Sequence, residues 1–281
     1  VDVWSNHLKS FGLGQFMGYD LPTGKKGNLP TSKTYKKMYP GWGWSSKTIV
    51  SNAIGQGEVL MTPIQLANMI AIVANRGYYY TPHIIKKIKG NVIDKKFRTK
   101  HVTTVNKKYF EPMINGLFDV YNFGTAHGLN VEGIDICGKT GTAENFAKIN
   151  GKRVKLQDHS IFVAFAPKDN PKIAIAVFVE NGYWGARWAG PITSLMIEKY
   201  IKKKITRTDL EKRMLEGSLQ GEYNKYYANP IIDTLIKTKA NSVEEKFAPF
   251  EIVAPIEIRE FLRITGGTVV ADVEPDAGKK E

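Results

Sequence analysis

The chain has 281 residues, 42% of them apolar, and 40 Lys and Arg against 27 Asp and Glu give it a formal charge of +13. That composition excludes a disordered chain and suits one large domain, or one domain with an appendage, around a normal core. The longest apolar runs, SIFVAFA (160–166) and IAIAVFV (173–179), fall far short of the roughly 18 residues of a membrane span, and the single Cys137 excludes an internal disulfide.

From the N-terminus, Val3, Trp4, His7, Leu8 and Phe11 recur at helical spacing, and GLG (12–14) predicts the stop. A turn-rich stretch follows to about residue 60, with DLPTGKKGNLP (20–30) as its strongest loop signal. TPIQLANMIAIVANRG (62–77) is the clearest helix: Thr62 and Gln65 predict a capping box, Pro63 the first helical position and Gly77 the C-terminal stop. YYYTPHIIKKI (78–88) reads as extended, and NKKYFEPMINGLFDVYN (106–122) as a second amphipathic helix despite Pro112 and Gly116.

The period then changes. IDICGKTGTAENF (134–146), VKLQDHSIFVAFAP (154–167) and KIAIAVFVEN (172–181) predict three consecutive antiparallel strands, with hairpin chemistry in KINGKR (148–153) and KDNP (168–171). Small Ala174 and Ala176, between Ile173, Ile175 and Val177, predict that the last strand is central with a helix on one face. GPITSLMIEKYIKKK (190–204) is expected to be that helix, its basic end at the C-terminus. The fold class is therefore α+β, an antiparallel sheet flanked by helices. Past residue 205, a short helix capped by Thr208 and Glu211 precedes a Tyr/Asn-rich segment and a polar end, GGTVVADVEPDAGKKE (266–281), mobile by composition.

The charge is uneven. Residues 1–110 hold 17 Lys and Arg against 4 Asp and Glu, so the whole excess lies there. YKKMYPGWGWSSK (35–47) mixes basic and aromatic side chains, but a solvated basic face with packed aromatics accounts for it better than nucleic-acid stacking, and no nucleic-acid partner is expected. The five histidines lack metal-ligand spacing, so neither metal nor cofactor is expected.

GKTGTAENF (138–146) carries the chemistry. A lysine at the start of a strand puts a fixed positive charge beside a cleft, where it holds an acidic group or helps deprotonate a hydroxyl. Gly141 lets an extended peptide lie against the strand and add itself as another. Thr142 offers a hydroxyl to a carboxylate and a backbone N–H to an oxyanion, whereas Thr140, its neighbour's alternate, points away from the cleft. Standing alone, the motif reads better as a surface lysine with a glycine bulge.

It does not stand alone. SNAIGQGEVLMTPIQLANMIAIVANRGYYYTPHI (51–84), GKTGTAEN and DHSIFVAFAPKDNPKIAIAVFVENGYWGARWAGPI (158–192) resemble the transpeptidase domain of class B penicillin-binding proteins. IGQGEVLMTPIQLA and VFVENGYWGARWAGP are most similar to the elongation-specific branch, penicillin-binding protein two, and FGLGQFMGYDLPTGKKGNLP (11–30) is similar to the segment after that family's second motif. The resemblance covers residues 1–205 and leaves 206–281 as a C-terminal helical extension and polar tail. It implies a partial penicillin-binding or serine β-lactamase-like fold and a serine acyl transfer on the D-alanyl-D-alanine end of a peptidoglycan stem peptide, with β-lactams as acylating mimics. It further implies a partner glycan polymerase within an elongation complex, and a place at the periplasmic face of the inner membrane.

Such a site uses Ser-x-x-Lys, Ser-x-Asn and Lys-Thr-Gly. The third maps onto Lys139, Thr140 and Gly141, with Thr142 as the implied carboxylate contact and oxyanion donor, and Lys139 as the charge that bonds the middle serine. None of the ten serines is followed by Lys three positions later, or by Asn or Asp two positions later. With an opening VDVWSNHLKSFGLG that shows neither initiator methionine nor signal peptide, this makes a piece of a longer transpeptidase, inactive alone, the expectation. The alternatives are a β-lactamase or penicillin sensor of the same fold, and a non-catalytic peptide-binding module.

Gln56 and Glu58 in GQGE are secondary candidates for lining the cleft, with a tight turn as the plainer reading of their glycines. Trp184, with Arg187 and Trp188, is a secondary substrate contact, with packing of the following helix as the plainer reading. Asp158, His159 and Ser160 do not form a hydrolase triad, because successive strand residues face opposite sides.

Overall fold

The computed structural model describes residues 1–227 except 21, 42, 86–91 and 150. In chain order it has α1 (Asp2–Ser10), α2 (Ser32–Met38), α3 (Ser46–Ala53), α4 (Pro63–Ala74), β1 (Tyr78–Tyr80), α5 (Lys95–Arg98), β2 (Lys100–Val102) and α6 (Phe110–Asn122). There follow β3 (Cys137–Ala143), β4 (Phe146–Ile149), β5 (Lys152–Lys155), β6 (His159–Ala166), β7 (Ile173–Val179), α7 (Ala189–Lys202), α8 (Thr208–Glu216) and α9 (Gln220–Tyr227). The polar end at 266–281 and the last part of YYYTPHIIKKI lie outside the described residues.

The sheet at the centre is antiparallel in the order β3-β6-β7, with helices on both faces, so the α+β expectation holds. β6, not β7, is the middle strand. Its residues are buried on alternate faces: Val163 and Phe165 join Ala174 and Ala176 of β7, Cys137, α4 and α6, whereas Phe162, Ala164 and Ala166 join Ile173, Ile175 and Val177, Tyr121 and α7. The small face of β7 therefore receives α4, and α7 lies on the branched face opposite, reversing the expected packing. Alanines fit under α4 because that helix is itself apolar nearly all round, from Ala67 to Ala74, and comes close. Its capping box forms as read, with Thr62 accepting from the Gln65 N–H and Gln65 returning the bond to the Thr62 N–H.

Three further differences are local. The linker between β3 and β6 is a hairpin of its own, β4 with β5, so KINGKR turns within that hairpin rather than joining the larger strands. The turn-rich N-terminal stretch holds two short helices, of which α2 starts in a capping box between Thr31 and Thr34. At α8 the cap position is Arg207, with no side-chain cap bond, and Thr208 is already helical.

Arg207 is instead committed to Glu198. That glutamate, with its side chain fully buried on α7, accepts from Arg207 Nε at 3.0 Å and from the N–H and hydroxyl of Thr206. Arg207 Nη1 reaches on to the carbonyls of Leu129 and Asn130 at 3.3 and 3.4 Å, so one ion pair ties the end of α7 to the chain after it and to the loop after α6. Burial pushes the Glu198 carboxyl up, but the bonds from Thr206 and Arg207 outweigh it and hold the net value below 4.5. A carboxylate with a lowered folded pKa contributes stability above its unfolded pKa and loses it as pH falls through the folded value. Glu198→Gln is therefore expected to lower the unfolding free energy at pH 7 by about 1–3 kcal/mol. In urea titrations at stepped pH, the gap to the unsubstituted protein should close below pH 4.5; a gap that stays constant in acid would contradict the assignment.

Candidate functional site

β3 pairs with β6 along one side only, and among the described residues no strand pairs with its other edge. Its alternation sets the site. Cys137, Lys139 and Gly141 turn to the α4 face, whereas Gly138, Thr140 and Thr142 turn to the α7 face. The Thr140 hydroxyl meets that of Thr125 at 3.0 Å and also lies 3.5 Å from Lys139 Nζ. The same alternation puts the Thr142 side chain on the Thr140 face, so the two threonines cannot be assigned opposite directions as the sequence reading assigned them.

What Thr140 and Thr142 offer the open edge is main chain. In an antiparallel strand the N–H and C=O of one residue point to the same side. The Thr142 carbonyl accepts from Gln56 Nε2 at 3.0 Å, and the Thr140 carbonyl from Lys139 Nζ at 3.0 Å, so both residues turn their backbone groups outward. Lys139 is exposed, and among the described residues its ammonium pairs with no carboxylate.

Gln56 reaches the strand across 86 residues because the turn that carries it is fixed from behind. Gly55 and Gly57 take φ of +77° and +69°, and a Cβ on Gly57 would approach Asn52 Oδ1 to 3.1 Å. Asn52 in turn donates to the buried Tyr35 hydroxyl, which donates to Glu58 at 2.8 Å. GQGE thus splits: Gln56 faces the strand edge, and Glu58 faces inward to Tyr35.

The far side of β3 is shaped by backbone contact. A Cβ on Gly141 would lie 3.2 Å from Ile161 Cβ, and one on Gly185 would lie 2.4 Å from the Ile161 carbonyl oxygen and 2.9 Å from that of Gly141. The loop after β7 therefore rests directly on the strand pair. Ser160 holds it there, donating to the Trp184 carbonyl at 2.9 Å and accepting from the Ala189 N–H at 3.1 Å. Sequence reasoning had weighed Ser160 only as a triad member; it fastens the loop. His159 Nδ1 accepts from the Asn181 N–H at 3.2 Å, and Asp158 lies 3.8 Å from Lys155, so the three adjacent residues serve three separate contacts.

Trp184 is 55% exposed, beside Tyr183 and under the Arg187 guanidinium. Trp188 packs against Gly217 instead. Of the secondary candidates, Gln56 touches the open strand edge, while Trp184 reaches it only through its own carbonyl and the following Gly185. Among the described residues no cluster of His, Cys, Asp and Glu fits a metal ion, and no helix is long and apolar enough to cross a membrane.

Residues 1–198 match the penicillin binding protein transpeptidase domain. Curated relatives include the peptidoglycan D,D-transpeptidases MrdA of Acinetobacter baumannii, 35% identical over 68% of this chain and 30% of the relative, and of Haemophilus influenzae, 30% identical over 74% and 34%. The chain thus spans about a third of their length. Among solved structures, Pseudomonas aeruginosa PBP2 in complex with WCK 5153 superposes with a TM-score of 0.61 at 29% identity, covering 74% of this chain and 46% of that one. PBP2 in its complex with MreC from Helicobacter pylori gives 0.57 at 28%, covering 71% and 36%.

The close approach of Gly185 gives a direct test of the edge. Gly185→Ala leaves no room between two backbones, and should cost about 1–3 kcal/mol in urea denaturation. It should also raise hydrogen exchange at Gly141, whose N–H faces β6, above that of the β6 interior; unchanged exchange there would mean that the loop does not brace β3.

Proposed function

The chain belongs to the penicillin-binding protein transpeptidase family, and on that premise we propose that residues 1–205 are part of an elongation-type peptidoglycan D,D-transpeptidase and supply one wall of its active site, with 206–281 as an extension to it. The observation that carries this reading is the open edge of β3, with the main-chain groups of Thr140 and Thr142 outward and Lys139 beside them.

In this reading a stem peptide lies along β3 as an added strand, its N–H taking the Thr142 carbonyl from Gln56. The Thr142 N–H lies on the same edge and donates to the carbonyl oxygen of the scissile D-alanyl-D-alanine bond as a serine attacks and negative charge grows there. Lys139 holds a positive field beside the reacting centre and the substrate carboxylate. Gly141 keeps side-chain bulk off its face of the strand, where Ile161 already crowds it. The acyl-enzyme ester forms as D-alanine leaves, and an amine of a neighbouring strand takes the acyl group from the serine. A β-lactam enters the same edge and stalls at the ester.

The nucleophile is the remaining piece. No serine here stands in Ser-x-x-Lys, so we infer that the serine, its lysine and the middle serine come from other residues of a longer chain. That chain would act at the periplasmic face of the membrane within an elongation complex that includes a glycan polymerase, a reading supported by neighbours described as PBP2 with MreC and as a peptidoglycan synthase complex that coordinates polymerization and crosslinking.

Two measurements test this. Fluorescent penicillin should not label the 281-residue chain covalently, and a stable adduct mapped to one of its ten serines would refute the assignment. In the full-length protein, Lys139→Ala should leave the melting temperature nearly unchanged while slowing acylation about 10²–10³-fold; near-normal acylation would remove Lys139 from the mechanism.

A further inference from the structure

The loop that rests on β3 is strained and is held from outside the matched family region. Asn181 and Tyr183 take φ of +53° and +67°, conformations uncommon for any residue with a Cβ and rare for one as bulky as tyrosine. Such a turn persists only where its surroundings over-determine it. From the sheet side, the Asn181 N–H donates to His159, Asn145 Nδ2 donates to Asn181 Oδ1 at 2.8 Å, and the Tyr183 N–H donates to the Asp158 carbonyl at 2.9 Å. From the other side, the Tyr183 hydroxyl donates to Glu222 of α9, and the Arg187 guanidinium covers the Tyr183 ring at 3.9 Å. Lys225 Nζ, 2.9 Å from the second Glu222 oxygen, fixes that carboxylate, and the Tyr223 hydroxyl reaches Glu180 at 3.4 Å. At the end of α8, Gly217 lies so close to the Trp188 ring that a Cβ would come within 2.3 Å of it.

α8 and α9 lie beyond residue 198, where the family match ends. We propose that they form a strap, with Glu222 and Tyr183 as its positioning pair, which clamps the 181–185 loop and so sets the spacing of Gly185 against Gly141 on the substrate-binding strand. The activity arm of this inference rests on the transpeptidase reading; the structural arm does not. Neither residue touches substrate. Glu222 acts through Tyr183, Tyr183 through the loop, and the loop through its backbone contact with β3.

Hydrogen exchange on the 281-residue chain reads the clamp directly. Glu222→Ala and Tyr183→Phe should each raise exchange at the 181–185 amides at least about tenfold while leaving the β6 interior unchanged, and the double substitution should add little, because both remove one bond. Glu222→Gln, which keeps an acceptor oxygen, should restore part of the protection. Unchanged exchange at 181–185, or fully additive effects, would overturn the strap. In the full-length protein the same two variants should slow β-lactam acylation about tenfold or more through misplacement of the strand wall. Normal acylation of the unsubstituted protein with no loss in either variant would remove the strap from catalysis, whereas an unsubstituted protein that is never acylated would instead sink the transpeptidase reading and leave the exchange result to decide the strap.

Discussion

Because Val163 and Phe165 of β6 are covered by α4 and α6 while Phe162 and Ala164 are covered by α7, the middle of the sheet can receive a ligand on neither face. Each fully buried Phe or Ile there contributes roughly 1.5–3 kcal/mol by leaving water, so neither helix can be lifted to open one. What the covered faces leave accessible is an edge. β3 offers one because only its first residues, Cys137 and Gly138, lie in the core, while Lys139 to Ala143 emerge beyond the helices.

That emergence makes backbone shape, rather than side-chain packing, the determinant of the site. Gly138 sits where a Cβ would come within 3 Å of Phe162, Tyr121 and the Val163 carbonyl, and Gly185 where one would meet two carbonyl oxygens. Both bring main chain against main chain, and main chain against aromatic ring, at distances that no other residue allows. The strained turn at 181–183 belongs to the same economy of space: to lay Gly185 on the strand, the chain leaving β7 reverses within a few residues, and it does so through two non-glycine positions of positive φ.

What could be read from the sequence was what is local. α4 was legible because cap, first-turn proline and closing glycine agree within sixteen residues, and α7 because its apolar stripe is long; the third motif was legible because its neighbours also match a family. The β4–β5 hairpin was legible only as hairpin chemistry in KINGKR and not as a unit apart from the main sheet, since its strands are four residues each and carry Lys148, Lys152, Arg153 and Lys155. α2 and α3 are too short, at seven and eight residues, to establish a period. Ala174 and Ala176 announce that something approaches closely, but only the long-range arrangement decides that it is α4. Gln56 illustrates the limit most plainly: its glycines were readable as a turn, but nothing within that turn names a partner 86 residues away.

An unpaired strand edge is a liability, since its carbonyls and N–H groups invite any other edge to dock. Here two of its outward carbonyls are already occupied by side chains, Thr140 by Lys139 and Thr142 by Gln56. A peptide adding to β3 exchanges those bonds for its own, so the net gain from main-chain pairing is small, of the order of 1 kcal/mol or less per bond. Affinity on such an edge cannot come from the backbone ladder alone. It has to come from groups that a random strand lacks, and the charged one released at the moment of exchange is the Lys139 ammonium, which, once off the Thr140 carbonyl, can donate to a carboxylate. On the proposed reading, an edge capped in this way resists neutral strands and favours a peptide that brings its own negative charge.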